Sequence, residues 1–245
     1  MARVLVIGAT SAIAQAVARR WAARGDTLLL AARDAARTES VAQDLRIRGA
    51  PSVHVETGDL DDVATIPRIV AQARATMGGI DVALLAYGVL GDPALAKADA
   101  RALERLLHVN FVSAAAWCEA LVAVLESQGR GTLAVIGSVA GDRGRQSNYA
   151  YGAAKGGLAI FLDGLRHRVA RSDVRVVTLK PGFVDTPMTA EFPKGPLWAS
   201  PDRAAASIVA AVDAGKPVAY IPGFWRLIML AVRNVPRAVL HRTKL

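Results

Sequence analysis

The sequence predicts an α/β fold in which helices cover a parallel sheet. Short apolar runs of strand length alternate along the chain with longer segments of helical periodicity, which is the pattern of βαβ units. A length of 245 residues suits one α/β domain, and 53% hydrophobic residues with 21 glycines are typical of a compact globule. We therefore expect residues 1–245 to form a single domain.

Seven strands are predicted, near residues 3–7, 27–31, 52–56, 81–86, 132–137, 174–179 and 217–221. Helices are predicted over residues 12–24, 36–48, 61–77, 99–127, 149–171 and 202–213 and, in the tail, 224–235. Residues 182–200 contain three prolines and show little periodicity. Because this stretch follows the carboxyl end of a strand, where ligands of open α/β sheets bind, we predict that it forms a substrate lid.

The first strand leads into the turn IGATSAIA, where the start of a helix can bind a nucleotide pyrophosphate through free N–H groups and the positive end of its dipole. Gly8 permits the tight turn, and Thr10 and Ser11 supply hydroxyls for helix capping or phosphate contact. Ala12 and Ala14 stand where the dinucleotide pattern has glycine, so the fingerprint is degraded. On these residues alone, the turn fits either a nucleotide site or an ordinary connection between strand and helix.

The residues after the second and third strands bear on the choice of cofactor. Ala32 stands where an acidic side chain would bind the 2′-hydroxyl of NAD, and Arg33 follows at once. An arginine there suits a 2′-phosphate, which favours NADP(H), with NAD(H) as the alternative. Arg33 equally fits a solvated residue that opens a helix. Asp59 can accept a hydrogen bond from an adenine amino group or cap the next helix.

Tyr151 and Lys155 stand four apart in a predicted helix, and Ser138 lies thirteen residues before the tyrosine. Positions i and i+4 share one face, so the Lys155 ammonium can approach the Tyr151 phenol and favour its ionised form. An unperturbed tyrosine has a pKa of about 10, too high for efficient proton exchange at neutral pH, and a nearby cation lowers it. The three residues indicate carbonyl or alcohol oxidoreduction with Ser138 holding the substrate oxygen, although the pair alone also fits surface residues.

Composition argues against several other kinds of site. Cys118 is the single cysteine, so neither a disulfide framework nor a multi-cysteine metal site is expected, and a reducing cytoplasm fits. The four histidines lack ligand spacing, so no metal is expected. No segment reaches the roughly 18 uninterrupted apolar residues of a membrane span. The start MARVLVIGAT is typical of a strand and not of a signal peptide.

The net charge is +9, and six of the basic side chains lie in the tail after Asp213, which carries no acidic ones. Residues 222–245 form a basic amphipathic segment in which a helix would place Arg226, Arg233 and Arg237 on one stripe beside aromatic and aliphatic residues. This segment fits an interfacial membrane anchor or lipid-substrate gate, and equally a helix packed over the active site or at a subunit interface. Nucleic acid is not an expected partner, because the basic residues cluster in an apolar tail.

Motifs along nearly the whole chain follow one order: Gly8 with Thr10, Ser11 and Ile13, then Asp59, Gly88, Asn110, Ser138, the Tyr151 and Lys155 pair, and PGFVDTP at 181–187. In this order and spacing they resemble the short-chain dehydrogenase/reductase family. The resemblance implies a doubly wound Rossmann fold with about seven parallel strands and helices on both faces. It also implies an oxidoreductase that transfers hydride between NADP(H) and a ketone or secondary alcohol, assembled as a homodimer or homotetramer.

The resemblance also implies roles for individual residues. Tyr151 would be the catalytic acid or base, and Lys155 would bind the nicotinamide ribose and tune the phenol. Ser138 would position the carbonyl, and Asn110 would hold a water for proton relay. The implied cofactor-binding residues are Gly8, Thr10, Ser11, Ile13, Arg33, Asp59, Leu60, Ala86, Gly88, Tyr151, Lys155, Pro181, Gly182, Val184 and Thr186.

One departure marks a divergent branch, because Leu85, Ala86, Tyr87 and Gly88 replace the family's NNAG segment. Loop and tail motifs are similar to a branch in which the 2-keto sugar of a polyprenyl-phosphate lipid is reduced with NADPH. We therefore expect a small or lipid-linked carbonyl substrate and a cytoplasmic location, at the inner face of the membrane if the tail binds lipid. A non-catalytic NADP(H)-binding regulatory or scaffold protein with the same fold is the alternative.

Overall fold

The computed structural model describes residues 1–242. At its centre lies a parallel sheet of seven strands in the order β3-β2-β1-β4-β5-β6-β7. The strands are β1 Arg3–Ile7, β2 Thr27–Ala32, β3 Val53–Thr57, β4 Val82–Leu85, β5 Arg130–Ile136, β6 Asp173–Pro181 and β7 Val218–Ile221. Each overlaps its predicted range, so the expected α/β class and parallel sheet are confirmed.

The helices are α1 Ala12–Ala23, α2 Ala35–Ile47, α3 Ile66–Met77, α4 Pro93–Ala98, α5 Ala100–Leu107, α6 Ser113–Gln128, α7 Tyr149–Arg168, α8 Pro201–Asp213, α9 Trp225–Asn234 and α10 Arg237–Leu240. Short 3-10 turns occupy Val63–Thr65, Val139–Asp142 and Pro187–Thr189, and a π-helical turn occupies His108–Val112.

Helices cover both faces of the sheet, which gives it two hydrophobic cores. One core joins the sheet to α1, α2 and α8 and includes the fully buried Trp21. The other joins it to α3, α6 and α7 and includes the fully buried Trp117. The inner strand β1 pairs with β2 on one side and β4 on the other, so the strand order reverses there. In doubly wound sheets such a switch point opens a ligand crevice at the carboxyl ends of the strands.

The helix predicted over 99–127 is divided into α5, the π-helical turn and α6. In an α-helix the Leu106 carbonyl would accept from the N–H of residue 110, but here the Asn110 side-chain amide donates to it at 3.0 Å. The extra residue accommodated by the π turn therefore has a local cause. Smaller differences are that α3 begins after the predicted start, α7 ends before the predicted end, and neither α4 nor α10 was predicted.

Residues Ala100–Gln128 are long and apolar enough to cross a membrane by composition alone, which the sequence did not lead us to expect. Half of their most apolar window is buried inside the fold, and Trp117, Cys118 and Leu121 are fully buried against the sheet. A core helix of a folded domain has the same composition. Packing in the second core therefore accounts for the apolar composition of this segment.

Candidate active site

A cleft of about 470 Å³ opens at the carboxyl edge of the sheet, between the loops that follow β1, β4, β5 and β6. Sixteen residues were predicted to bind cofactor or act in catalysis besides Asn110, and all sixteen line this cleft. The structure thus gathers residues that are spread from Gly8 to Thr186 in the sequence.

The turn after β1 forms one end of the cleft. Gly8 has a φ of +85°, and a Cβ there would lie 2.8 Å from the Tyr87 Cβ, so a glycine is needed where β1 and β4 end side by side. Ser11 is the N-cap of α1, yet its hydroxyl makes no capping hydrogen bond. Both the free N–H groups of α1 and this hydroxyl therefore face a space that suits a phosphate.

Two arginines stand beside that turn at the end of β2. Arg33 and Arg37 both line the cleft and are exposed, whereas Ala32 is buried. Asp34, not Arg33, caps α2, because its carboxylate accepts from the Arg37 backbone N–H. Arg37 was not predicted, although its position four residues after Arg33, one helical turn away, could have revealed it. Two guanidinium groups therefore stand side by side at this end of the cleft.

The segment after β3 lines the same end of the cleft. Asp59 does not cap the next helix; Asp62 caps the following 3-10 turn instead. The side-chain interaction between the exposed Asp59 and the partly buried Asp61 raises the pKa of Asp59 and lowers that of Asp61. The Trp117 indole donates to the Leu60 carbonyl at 2.8 Å and so holds this segment against the core.

Ser138 and α7 form the opposite wall of the cleft. The Ser138 hydroxyl accepts from the Ala140 N–H at 3.1 Å and thereby caps the 3-10 turn that follows β5. This turn packs backbone to backbone on α7, since a Cβ on Gly141 would lie 2.7 Å from the Gly156 nitrogen. The contact brings Ser138 to the same wall as Tyr151 and Lys155.

The electrostatics of this wall differ from the sequence expectation. The Lys155 ammonium donates to the Ile136 carbonyl at 3.2 Å and lies 6.0 Å from the centre of the Tyr151 ring. Burial lowers the pKa of Lys155 to about 8. Burial also raises the pKa of Tyr151, and a hydrogen bond with Ser138 offsets only part of this effect. The lowering of the Tyr151 pKa that was expected from Lys155 is therefore corrected, because desolvation has the largest effect on this phenol and raises its pKa.

Asn110 is fully buried and is not among the cleft-lining residues. Its side-chain amide donates to the Val89 and Leu106 carbonyls, and its Oδ1 accepts from the Val89 N–H at 3.2 Å. These bonds fasten the loop after β4 to the π-helical turn. Asn110 thus positions the cleft wall from behind, and its expected part in a water relay stays a prediction.

Two further tyrosines are accounted for by other contacts. Tyr87, within the segment that replaces NNAG, shares a hydrogen bond of 2.7 Å with Ser113, and burial raises the pKa of its phenol. It joins the end of β4 to the start of α6. Tyr149, the nearest rival of Tyr151 in the sequence, is half exposed and is not among the cleft-lining residues.

The predicted lid forms the outer rim of the cleft. Val184 pairs with Ala199 in an isolated bridge that closes the base of the loop. Within it, Met188 and Phe192 line the cleft while remaining partly exposed. Phe183 stacks on Trp198 with ring centres 5.2 Å apart. The substrate end of the cleft is therefore mostly apolar.

The tail helix α9 packs over this end with one face and meets solvent with the other. Trp225 and Met229 are buried against Val139, and Trp225 also contacts Phe183 edge-on at 5.4 Å and lines the cleft. Of the two interpretations of the tail, packing over the site is therefore observed for this inner face. Lys244, part of the predicted basic segment, lies outside the described residues.

A buried polar cluster joins the loop after Ser138 to the sheet and the tail. The Asp142 carboxylate accepts from the Lys180 ammonium at 2.5 Å and from the Tyr220 hydroxyl at 2.7 Å. Arg143 donates to the backbone carbonyls of Arg233 and Val235. The loop after Ser138 and the tail helix α9 are thus held as one unit.

The cleft-lining residues that were not predicted include Arg37, Arg145, Asn148 and Trp225. Arg145 and Asn148 lie in the polar loop between Ser138 and Tyr151, so their position between two predicted catalytic residues was an available signal. Trp225 is far along the chain from the other site residues, and the sequence offers no local sign of its place in the cleft.

Comparison with known proteins agrees with this geometry. A sequence model described as short chain dehydrogenase matches residues 2–196. An uncharacterized oxidoreductase of Mycobacterium tuberculosis strain H37Rv is 40% identical over 241 residues, covering 98% of this chain and 96% of that protein. The 3-oxoacyl-[acyl-carrier-protein] reductase of Bos taurus is 29% identical over 186 residues, covering 76% of this chain and 77% of that protein. The crystal structure of levodione reductase superposes with a TM-score of 0.82 at 24% identity, covering 91% of this chain and 97% of that one.

Replacing Lys155 with Met should change how stability depends on pH. Because its folded pKa of about 8 lies below the ordinary 10.5, the folded chain releases this proton first, and the unfolded chain binds more protons between those values. The free energy of unfolding of the wild type should therefore rise relative to Lys155→Met by roughly 1–3 kcal/mol between about pH 7.5 and 10.

Urea unfolding of both proteins across this pH range measures the difference. Lys97→Met, at an exposed lysine of α4, is the matched control and should track the wild type at every pH. A wild-type advantage over Lys155→Met that stays flat with pH would contradict the buried-ammonium interpretation.

Proposed function

The chain belongs to the short-chain dehydrogenase/reductase family, and from this premise we propose that it is an NADP(H)-dependent reductase of a ketone in a small or lipid-linked molecule. The observation that supports this most strongly is the placement of Ser138, Tyr151 and Lys155 on one wall of a cleft whose end is the glycine turn after β1. Oxidation of a secondary alcohol is the same reaction in reverse.

The residues present fit a nicotinamide dinucleotide. The turn at Gly8, the free hydroxyl of Ser11 and the arginines at 33 and 37 suit its phosphates. When bound, such a cofactor supplies or accepts the hydride. The lid and Trp225 enclose the substrate end and restrict water there.

The side chains of the opposite wall would handle the proton. The Ser138 hydroxyl would donate to the substrate carbonyl oxygen, where negative charge grows during reduction. The raised pKa of Tyr151 keeps its phenol protonated at neutral pH, so it is ready to give that proton to the developing alkoxide.

Tyr151→Phe should lower the rate of NADPH oxidation by roughly 10²–10⁴-fold, because the proton donor is removed, while NADPH binding is largely kept. Substrates would run from small ketones to prenyl-phosphate keto sugars, with Tyr149→Phe as a control of normal activity. Near-normal rates in Tyr151→Phe would contradict its role. A wild-type protein that binds NADPH yet reduces no carbonyl would favour the non-catalytic alternative.

A preference for NADP(H) is proposed from Arg33 and Arg37. Each guanidinium can form charge-assisted hydrogen bonds with a 2′-phosphate, and no carboxylate among residues 1–242 forms an ion pair with either. The site offers nothing equivalent to the acidic residue that binds the 2′-hydroxyl of NAD at the end of β2, where Ala32 is buried.

Replacing both arginines with Ala should weaken NADPH binding by roughly 10–100-fold and NADH binding far less, because only NADPH carries the 2′-phosphate. Fluorescence titration of both nucleotides measures this, and Arg101→Ala, at an exposed arginine of α5 away from the cleft, controls for lost charge. Equal weakening of both nucleotides would contradict the assignment.

Contact with an anionic membrane is proposed for the outer face of α9. Leu227 and Leu230 are 71% and 59% exposed, and the exposed Arg226 and Arg233 flank them. Apolar side chains inside a basic border suit the surface of an anionic bilayer, with the leucines entering the headgroup boundary. Such contact would not disturb the packing of the buried inner face of α9.

Replacing Leu227 and Leu230 with Ser should reduce sedimentation with phosphatidylglycerol vesicles by roughly tenfold, because each leucine contributes apolar burial. Binding to phosphatidylcholine vesicles should be weak throughout. Ile160→Ser removes an equally exposed side chain from α7 and should leave partitioning unchanged. Equal partitioning of the double variant and the wild type would remove the membrane proposal.

A further inference from the structure

The loop between Ser138 and Tyr151 carries a cation that has no partner among residues 1–242. Arg145 lines the cleft and is partly buried. Within residues 1–242 its guanidinium neither forms an ion pair nor donates a hydrogen bond, and its Nε is shielded from solvent. The neighbouring Arg143, by contrast, has both terminal nitrogens bonded to backbone carbonyls of the tail.

Burial without a partner is unfavourable for this group. It lowers the pKa of Arg145, and no carboxylate offsets the effect. Asn148, which also lines the cleft three residues later, has a shielded Oδ1 that likewise lacks a hydrogen-bond donor. Unpaired buried polar atoms are rare in folded proteins, and two on one short loop call for groups that the protein itself does not supply.

The surroundings indicate which groups would complete the loop. Phe183, Met188 and Phe192 supply apolar surface to the cleft. The acidic side chains among the cleft-lining residues are Asp59 and Asp61, which follow β3, and Arg105 interacts electrostatically with Asp61. Arg145 therefore has no acidic neighbour in the part of the cleft that contains the catalytic residues.

We propose that Arg145 is a specificity-determining residue that binds a carboxylate or phosphate carried by the carbonyl substrate, with Asn148 accepting from a substrate hydroxyl. The planar guanidinium matches both anions in geometry, and its attraction is strengthened by partial burial. The inference rests on the proposed reductase function, since it places the anion on the molecule whose carbonyl meets Ser138 and Tyr151.

Binding of a probe that cannot react separates the anion site from catalysis. Calorimetry would compare glycerol 3-phosphate with glycerol on protein saturated with NADP⁺, so that the cofactor's own phosphate sites are filled. The phosphate should bind to the wild type and glycerol should not. Arg145→Met should bind it at least about tenfold more weakly, Arg145→Lys should be intermediate, and Arg101→Met should match the wild type.

Turnover then tests the substrate class. Wild-type kcat/KM should be roughly 10–100-fold higher for dihydroxyacetone phosphate than for dihydroxyacetone, and for acetoacetate than for its methyl ester. Arg145→Met should abolish the advantage of each anion while leaving the neutral ketones within about threefold of the wild type. A further titration with dodecyl phosphate decides the source of the anion: tighter binding than glycerol 3-phosphate assigns it to a lipid, and equal binding to a soluble compound.

The outcomes distinguish the two proposals. If ketones are reduced without preference for the anionic member, or if Arg145→Met loses neutral and anionic substrates equally, the Arg145 assignment is overturned and the reductase function stands. If no ketone is reduced yet Arg145→Met loses glycerol 3-phosphate, the anion site stands and the reductase function is overturned. Arg145→Lys, which keeps the charge, covers the case in which Arg145→Met does not fold.

Discussion

The direct packing of the turn after β5 on α7 is the constraint on which the rest of the site depends. Gly141 and Gly156 meet there with no side chain between the two backbones. This distance sets how far the Ser138 hydroxyl lies from the α7 residues Tyr151 and Lys155. The Asp142 ion pair with Lys180 then ties the same turn to β6, so the wall is held from both sides. Small movements of this contact would separate the groups that the proposed reaction brings to one carbonyl.

Much of the fold was open to prediction because its causes are local. Apolar runs such as VLVI and LLLAA are strands of a sheet covered on both faces, and the carboxyl ends of parallel strands meet at one edge. The π-helical turn could not be predicted, since it depends on one hydrogen bond from the Asn110 side chain to the Leu106 carbonyl. A pattern of hydrophobicity does not indicate that hydrogen bond.

For the candidate site, sequence spacing predicted which residues meet but not how deeply they lie. Asn110 lies behind the cleft because its side chain bonds to Val89 and Leu106. Trp225 lies within the cleft because the tail packs against the lid from a distant part of the chain. The same burial explains why the pKa of Tyr151 is raised where spacing alone predicted the reverse. The substrate, the resemblance to one branch, the oligomeric state and the cytoplasmic location stay predictions.

The helix α9 has two unlike surfaces on opposite sides of its backbone. Its inner residue Trp225 is part of the cleft wall, while Leu227, two positions on, meets solvent. A partner that binds the outer face of α9 and shifts this helix would alter the shape of the cleft. Thermodynamic linkage is reciprocal, so a ligand bound in the cleft would change the affinity for the partner outside by the same factor. The helix α9 thus connects the outer surface of the protein with the cleft.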